Sequence, residues 1–309
     1  MKLTREIILL LTLVASVFVV YKTLNNPSEK IKSQTNQLSK TPYYLDNKTI
    51  KTGNLQVTSE SSLKKVSVSY LSPMDLSAKF GLTGDPKSAG DTLTWESGSE
   101  KLNYNQKDSN FEYTSSSKAS TTDLKTISEA EKIATDFVSQ KNIISPEFQT
   151  KISSTVLIQD LSGLGRTTEF SKAIQIGVYL QPTFESKPVL TQTPATSVLA
   201  VFVDKKGNVV RFGGPQPLLV GSQTTVALKQ GKEAINEVKN KKGKVVSVNS
   251  PSTKELVTNF DYKELEVTDS YLGYLLEESH LVPIFVFSAK ATNSDGKNLD
   301  LVLYLPATK

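Results

Sequence analysis

His280 is the only imidazole in the chain, and it follows two carboxylates in Glu277-Glu-Ser-His280. A neighbouring carboxylate can fix an imidazole tautomer and raise its pKa, which is the start of an acid–base device. No G-x-S-x-G elbow accompanies it, and the position falls where a turn should enter the strand beginning at Leu281. A turn histidine is the reading adopted. Ser-x-x-Lys occurs at Ser61–Lys64, Ser62–Lys65 and Ser115–Lys118. On a helix that spacing would let the amine deprotonate the hydroxyl, but these three fall on strand or linker patterns and lack companion motifs. Gly163-Leu-Gly165-Arg166 is too short for a dinucleotide fingerprint, and no Walker sequence is present. Asp204 with Asn208, and Asn293 with Asp295, resemble fragments of calcium loops without the closing glutamate. Hairpin turns account for both.

Composition narrows the chemistry further. The 309 residues include no cysteine and one histidine, which excludes disulfide frameworks, thiolate nucleophiles, cysteine-ligated metal centres and any site needing two imidazoles from this chain. No catalytic, metal or cofactor residues are assigned, no cofactor is expected, and the chain is read as a non-enzyme. The net charge of +5 comes mostly from lysine, with arginine only at positions 5, 166 and 211. Nucleic-acid readers favour arginine for bidentate contacts, so no nucleic-acid partner is expected.

Two groups of residues suit contact rather than catalysis. Lys239, Lys241, Lys242 and Lys244 follow a helical pattern, where cations complement the helix dipole and can also meet an anionic surface. Among Tyr262, Tyr271, Tyr274, Phe285 and Phe287, the pair Tyr271 and Tyr274 flanks Gly273 in a segment without clean alternation. They are the expected exposed pair, and tyrosine supplies contact area at low conformational cost.

The elements that must position these residues begin with an anchor. Residues 1–6 read as a cytoplasmic stub and 7–24 as a transmembrane helix rising about 27 Å, since 7–21 (IILLLTLVASVFVVY) contain no charge or helix breaker. The run ends Val19-Val20-Tyr21-Lys22, too bulky for signal-peptide cleavage. Lys2 and Arg5 precede the anchor, and Lys22, Lys30, Lys32 and Lys40 follow it, so charge alone does not orient it. A short N-terminal stub and a long downstream domain favour a cell-membrane protein with its C-terminal portion extracytoplasmic. Residues 25–42 read as a flexible polar linker.

The expected fold class is α+β, with a β-rich domain over 43–123 and two tandem modules with antiparallel sheets over 124–222 and 223–309. Period-two patterns such as Val66-Ser-Val68-Ser-Tyr70 and Leu93-Thr-Trp95 mark short strands in the first, with a helix around 72–80. Ser128–Asn142 predicts a helix with a Ser128–Glu131 capping box and an apolar stripe of Ala130, Ile133, Ala134, Phe137 and Val138. Strands are predicted at 152–159, 172–181, 197–203 and 207–212, and Gly213-Gly214-Pro215 is read as the end of the unit. The order recurs with a helix over 228–242 capped by Gly243, then strands at 244–248, 262–268, 281–291 and 298–305. Two such blocks offset by about 90–100 residues suggest a duplicated unit.

The C-terminal succession Lys244-Val-Val-Ser-Val248, Leu265-Glu-Val-Thr-Asp-Ser-Tyr-Leu-Gly-Tyr274, Leu281-Val-Pro-Ile-Phe-Val-Phe287 and Leu303-Tyr-Leu-Pro-Ala307 resembles the YycI/YycH regulatory proteins, whose modules are similar to PepSY domains. Ser128-Glu-Ala-Glu-Lys-Ile133 and Gly231-Lys-Glu-Ala-Ile235 are similar to the starts of such modules, so the resemblance spans about 125–309. It implies a single-pass regulatory protein of the bacterial cell envelope, acting through a membrane sensor kinase, with no catalytic residue to carry over. The expectation is a non-catalytic protein working by protein–protein contact. The alternatives are a cell-envelope hydrolase or transferase, and a wall- or lipid-binding module.

Overall fold

The structure is a computed structural model describing residues 45–309 apart from 46, 54, 58–59, 117–122, 125, 161–164 and 250–259. The anchor expected at 7–24 and the linker at 25–42 lie outside the described residues. Among the described residues, no helix is long and apolar enough to cross a membrane.

The chain opens with β1 (Thr49–Thr52) and β2 (Ser62–Tyr70), followed by α1 (Pro73–Lys79). Four short strands come next: β3 (Lys87–Ala89), β4 (Thr92–Ser97), β5 (Glu100–Asn105) and β6 (Asn110–Ser115). After α2 (Ile127–Gln140) come β7 (Phe148–Ile158), β8 (Arg166–Thr167), β9 (Gln175–Phe184), β10 (Lys187–Leu190), β11 (Leu199–Asp204), β12 (Val209–Pro215) and β13 (Leu218–Ala227). The last block is α3 (Gly231–Lys239), β14 (Lys244–Asn249), β15 (Tyr262–Glu277), β16 (His280–Asn293) and β17 (Asn298–Pro306). The described residues therefore form a β-rich fold with three helices.

Two sheets can be distinguished. The first runs β3-β4-β5-β6-β12-β11-β9-β7-β8, all antiparallel. The second runs β14-β17-β16-β15, with β2 and β13 forming a ribbon on the start of β16. Both β1 and β10 pair parallel to β15, so the sheet is mixed rather than antiparallel as expected. β10 also pairs antiparallel with β9 and thus joins the two sheets. Residues 43–123 contribute to both: β1 and β2 enter the second sheet, and β3–β6 enter the first. Tyr44–Lys309 form one compact unit.

Local chemistry explains the elements. Ser72 caps α1, its Oγ accepting the Asp75 N–H at 3.0 Å, with Pro73 in the first turn where no amide is needed. The cap of α2 is Thr126, which accepts the Glu129 N–H at 3.2 Å, not Ser128 as the sequence suggests. Thr126–Glu129 and Ser128–Glu131 share the same spacing, and Glu131 instead accepts a hydrogen bond from Thr155 on β7 at 2.6 Å. The predicted stripe holds. Ala130, Ala134 and Val138 are buried against Ile176, Val178, Leu180, Val201 and Phe212, with Ile133 and Phe137 packed beside them.

α3 is shorter than its pattern, because Leu228 bridges Thr308 and the Lys229 N–H is bound to Ala307. Asn240 caps it and Lys241 takes the left-handed turn at φ 64°, so Gly243 is not the cap. Gly213 and Gly214 do not end a unit. They lie within β12 opposite Glu112 and Phe111, where a Cβ on Gly213 would sit 2.7 Å from the Phe111 carbonyl oxygen. The two α+β blocks also differ in wiring. After α2 the main strands meander as β7-β9-β11-β12, whereas after α3 the order is β14-β17-β16-β15, a Greek-key arrangement.

Candidate partner-binding face

Residues directly opposite in antiparallel strands share a sheet face. In the second sheet Tyr271 faces Val286, Val286 faces Tyr304, and Tyr304 faces Lys244. One tyrosine and one lysine that the sequence singled out therefore end the same cross-strand row. The next row is Asp269-Ser288-Val302-Ser247, and beyond it Glu266-Lys290-Asp300-Asn249. The face grades from apolar to charged. Leu190, Leu275, Ile284, Val286 and Tyr304 form its buried cluster, with Val246, Val282 and Val302 partly exposed beside them.

Tyr271 is 39% exposed, whereas Tyr304 is 4% exposed and Val286 is wholly covered. The exposed Lys244 ammonium donates to the Gln192 side-chain carbonyl at 2.9 Å, bringing the β10–β11 connection against this edge. Tyr304 has no hydrogen-bond partner for its buried hydroxyl among the described residues. Burial, then the Tyr271 phenol beside it, pushes its pKa upward. Burial, then the Asp269 carboxylate, does the same at Tyr271.

A buried hydroxyl without a partner costs about 1–3 kcal/mol. Tyr304→Phe is therefore expected to raise unfolding free energy by about 1 kcal/mol. A denaturant titration would show a higher midpoint at unchanged slope; a lower midpoint would mean that the hydroxyl is satisfied.

The expected pair Tyr271 and Tyr274 is split. The two are three apart in an unbroken stretch of β15 and so take opposite faces, and the register shift between Val267 and Asp269 sets which face each takes. Tyr274 then lies opposite Pro283 and is wholly buried, in correction of its expected exposure. Its hydroxyl donates to Glu185 at 3.1 Å, in a two-residue turn where Glu185 and Ser186 have φ 47° and 64°. Lys64 pairs with the same carboxylate at 2.9 Å, and Lys187 pairs with Glu60 at 3.0 Å. Tyr274 thus belongs to the joint between the two sheets.

The lysines of the run have separate settings. Lys239 lies in the last turn of α3, Lys242 pairs with Glu237 at 3.3 Å, and Lys244 starts β14. Hydrogen bonding from Lys229, and then from Lys242, holds the Glu237 carboxyl below its ordinary range.

Among the described residues, the other sequence candidates assemble no reactive site. His280 starts β16 opposite Glu277 and Ser67, and its Nδ1 lies 3.4 Å from the neighbouring Ser279 hydroxyl. Ser62 and Lys65 lie on β2, where period two puts residues three apart on opposite faces. Lys118 and Gly163 lie outside the described residues. Asp204 accepts the N–H groups of Lys206 and Asn208 at 2.9 and 2.8 Å, and Asn293 accepts those of Asp295 and Lys297 at 3.0 and 2.8 Å. Both are turn devices. Among the described residues, no group of three or more His, Asp or Glu side chains is placed to hold a metal ion.

Two concavities lie among the described residues. An apolar cavity of about 50 Å³ between the sheets is lined by residues including Phe148, Leu199, Gln216 and Leu276. An open polar depression of about 830 Å³, lined by residues including Glu266, Lys290, Asn293 and Asp300, lies at the charged end of the face.

Tyr304 is the residue that sequence reading missed. The signal was present: Leu299, Leu301, Leu303 and Leu305 share one face of β17, so Tyr304 must point to the other.

These features define a β-rich protein whose best-formed candidate site is a sheet face. Comparison with protein-family models, curated proteins and solved structures finds no match in any of the three.

Proposed function

We propose that this chain is a membrane-tethered, extracytoplasmic regulatory protein that acts by contact with another envelope protein rather than by catalysis. In this reading 7–24 is the anchor, 25–42 is the spacer, and each of α2 and α3 with its following strands is a module of YycI/YycH type. A membrane sensor kinase is the partner that the resemblance implies. One observation carries the proposal: the row Tyr271-Val286-Tyr304-Lys244 presents an accessible aromatic ring and an ammonium at the two ends of an otherwise covered apolar strip. Rigid aromatic groups on a sheet are the kind of anchor that dominates interface energetics.

The test is site-specific photo-crosslinking in intact membranes, with the photoreactive residue at 271 or, as control, at the exposed Lys107 turn. A single membrane protein captured from 271 and not from 107 is expected. Capture from neither site, or substrate turnover by the purified chain, would end this reading.

A further inference from the structure

A sheet edge can accept another strand, and folded chains blunt their edges with short strands, lysine or bulges. Most edges among the described residues follow that rule. β3 has three residues and includes Lys87, β8 has two, β14 begins with Lys244, and β1 has four with Lys51 paired to Glu264. β13 keeps only a bulge. Its ten residues, Leu218–Ala227, carry no charge and no proline, and each is partly or fully exposed. Among the described residues β2 is the one strand paired along it.

The hydrogen bonds show which peptide groups of β13 face outward. The Val68 N–H donates to the Ser279 carbonyl at 2.7 Å, so Val66 and Val68 turn their peptide groups toward β16. The alternate residues of β2 turn theirs toward β13. The Leu71 N–H on the Pro217 carbonyl and the Leu228 N–H on the Ser61 carbonyl keep that phase at both ends. Ser69, Lys65 and Leu63 therefore hold Leu219, Thr224 and Val226. Leu218, Val220, Gln223 and Thr225 point their N–H and C=O groups away from β2. The outer edge already takes a strand beyond them: Lys309 donates to the Ala227 carbonyl at 3.3 Å, and Lys229 donates to that of Ala307 at 2.8 Å. That pairing is antiparallel and stops at Ala227.

The open stretch is its own complement. A bulge lies between Val220 and Gln223, where a Cβ on Gly221 would sit 2.6 Å from the Ser67 hydroxyl oxygen. The outward residues thus fall at 218 and 220 before the bulge and at 223 and 225 after it. About a twofold axis between 221 and 222, a second copy sets its Thr225 opposite Leu218 and its Gln223 opposite Val220. Outward groups then meet outward groups at all four positions, in hydrogen-bonded pairs. Between them Leu219, which is 39% exposed, faces the second copy's Thr224. No charge on this edge meets a like charge across the axis.

We infer that β13 is the interface of a symmetric dimer of this chain. Two copies of β13 pair antiparallel and join the two β2–β13 ribbons into one four-stranded sheet. Such a contact uses each edge once and closes at two copies. It is independent of the contact proposed at Tyr271, which lies on β15.

The sequence has no cysteine, so introduced thiols can report this register. Leu219→Cys and Thr224→Cys are placed on separately tagged full-length chains in one cell. Mild oxidation should link the two tags, because side chains opposed in a non-hydrogen-bonded pair lie within disulfide reach. Either variant alone should link far less. Sedimentation of the full-length chain in detergent should show a dimer. Thr225→Pro removes an N–H that β2 does not use, and should raise the dissociation constant about tenfold or more through two hydrogen bonds lost per dimer. Gln223→Lys and Gln223→Glu should each weaken the dimer, since the axis sets the two 223 side chains on one diagonal, and mixing them should restore it.

A monomer in detergent, or linkage as strong from one variant alone as from the mixture, would overturn the inference. So would a dimer indifferent both to Thr225→Pro and to charge at 223. If Thr225→Pro disturbs the far-ultraviolet signal, the 223 variants decide: failure of the mixture to restore the dimer sinks the pairing.

Discussion

Raising the pH above about 10 should unfold this protein steeply, because buried tyrosines resist ionising where unfolded ones do not. Tyr113 is pushed up to about 12, first by burial and then by its hydrogen bond to the Glu100 carboxylate at 2.9 Å. Tyr274 is raised by burial and then by the charge of Glu185, and Tyr304 by burial and then by Tyr271. All three are at most 4% exposed.

The sign follows from proton counting. Above the ordinary tyrosine pKa the unfolded chain has lost these protons while the folded chain keeps them, so the folded state binds more and stability falls with pH. Their stabilisation is complete below about pH 10 and is lost as pH rises through the folded values. Each group contributes a slope of about 1.4 kcal/mol per pH unit, and three give about 4 kcal/mol per unit. A domain of ordinary stability, about 5–15 kcal/mol, does not survive two such units. Tyrosinate absorbance and the far-ultraviolet signal should therefore change together in one cooperative step. Tyr304→Phe should make the slope shallower by about one tyrosine's share. Smooth ionisation of all the tyrosines at an ordinary pKa, with the fold intact, would refute this account.

What the sequence made legible was local. Period three to four marked α2 and its buried stripe, and period two marked most strands, because each pattern depends only on one element facing one core. Pairing between distant strands was not legible. β1 lies alongside β15 more than 200 positions later, from Thr49 opposite Glu264, and nothing within the stretch 43–123 announces that its strands enter different sheets. The bulge between Val267 and Asp269 shows the same limit at the candidate site. One extra residue exchanges the faces of everything after it, so Tyr271 and Tyr274 cannot be assigned to inside and outside without the partner strand's register. Lys244 and Tyr304 could be placed on one row only once β14 was known to pair with β17.

That long-range wiring sets up the second large effect. Phe212 on β12 is wholly buried, edge-on to Phe111 at 5.2 Å and to Phe137 of α2 at 5.6 Å, and it tilts against Phe80 at 6.1 Å. Phe212→Ala removes the ring that three separate elements share and leaves a void, at a cost of about 3–5 kcal/mol. The thermal midpoint should drop on the order of 10 °C.

Independent modules of the kind the sequence suggested would confine the damage to the first sheet and split the melting curve in two. The architecture points the other way. β10 is hydrogen-bonded into both sheets. The buried Gln216, between β12 and β13, accepts from Tyr104 of the first sheet at 2.6 Å and donates to the Leu71 carbonyl, next to β2 of the second, at 2.5 Å. Loosening the first sheet strips partners from the second, so calorimetry of Phe212→Ala should show one transition, displaced as a whole. If the second sheet instead melted at its original temperature, the joint through β10 and Gln216 would carry little energy. Each helix with its strands would then have to be treated as a separate folding unit.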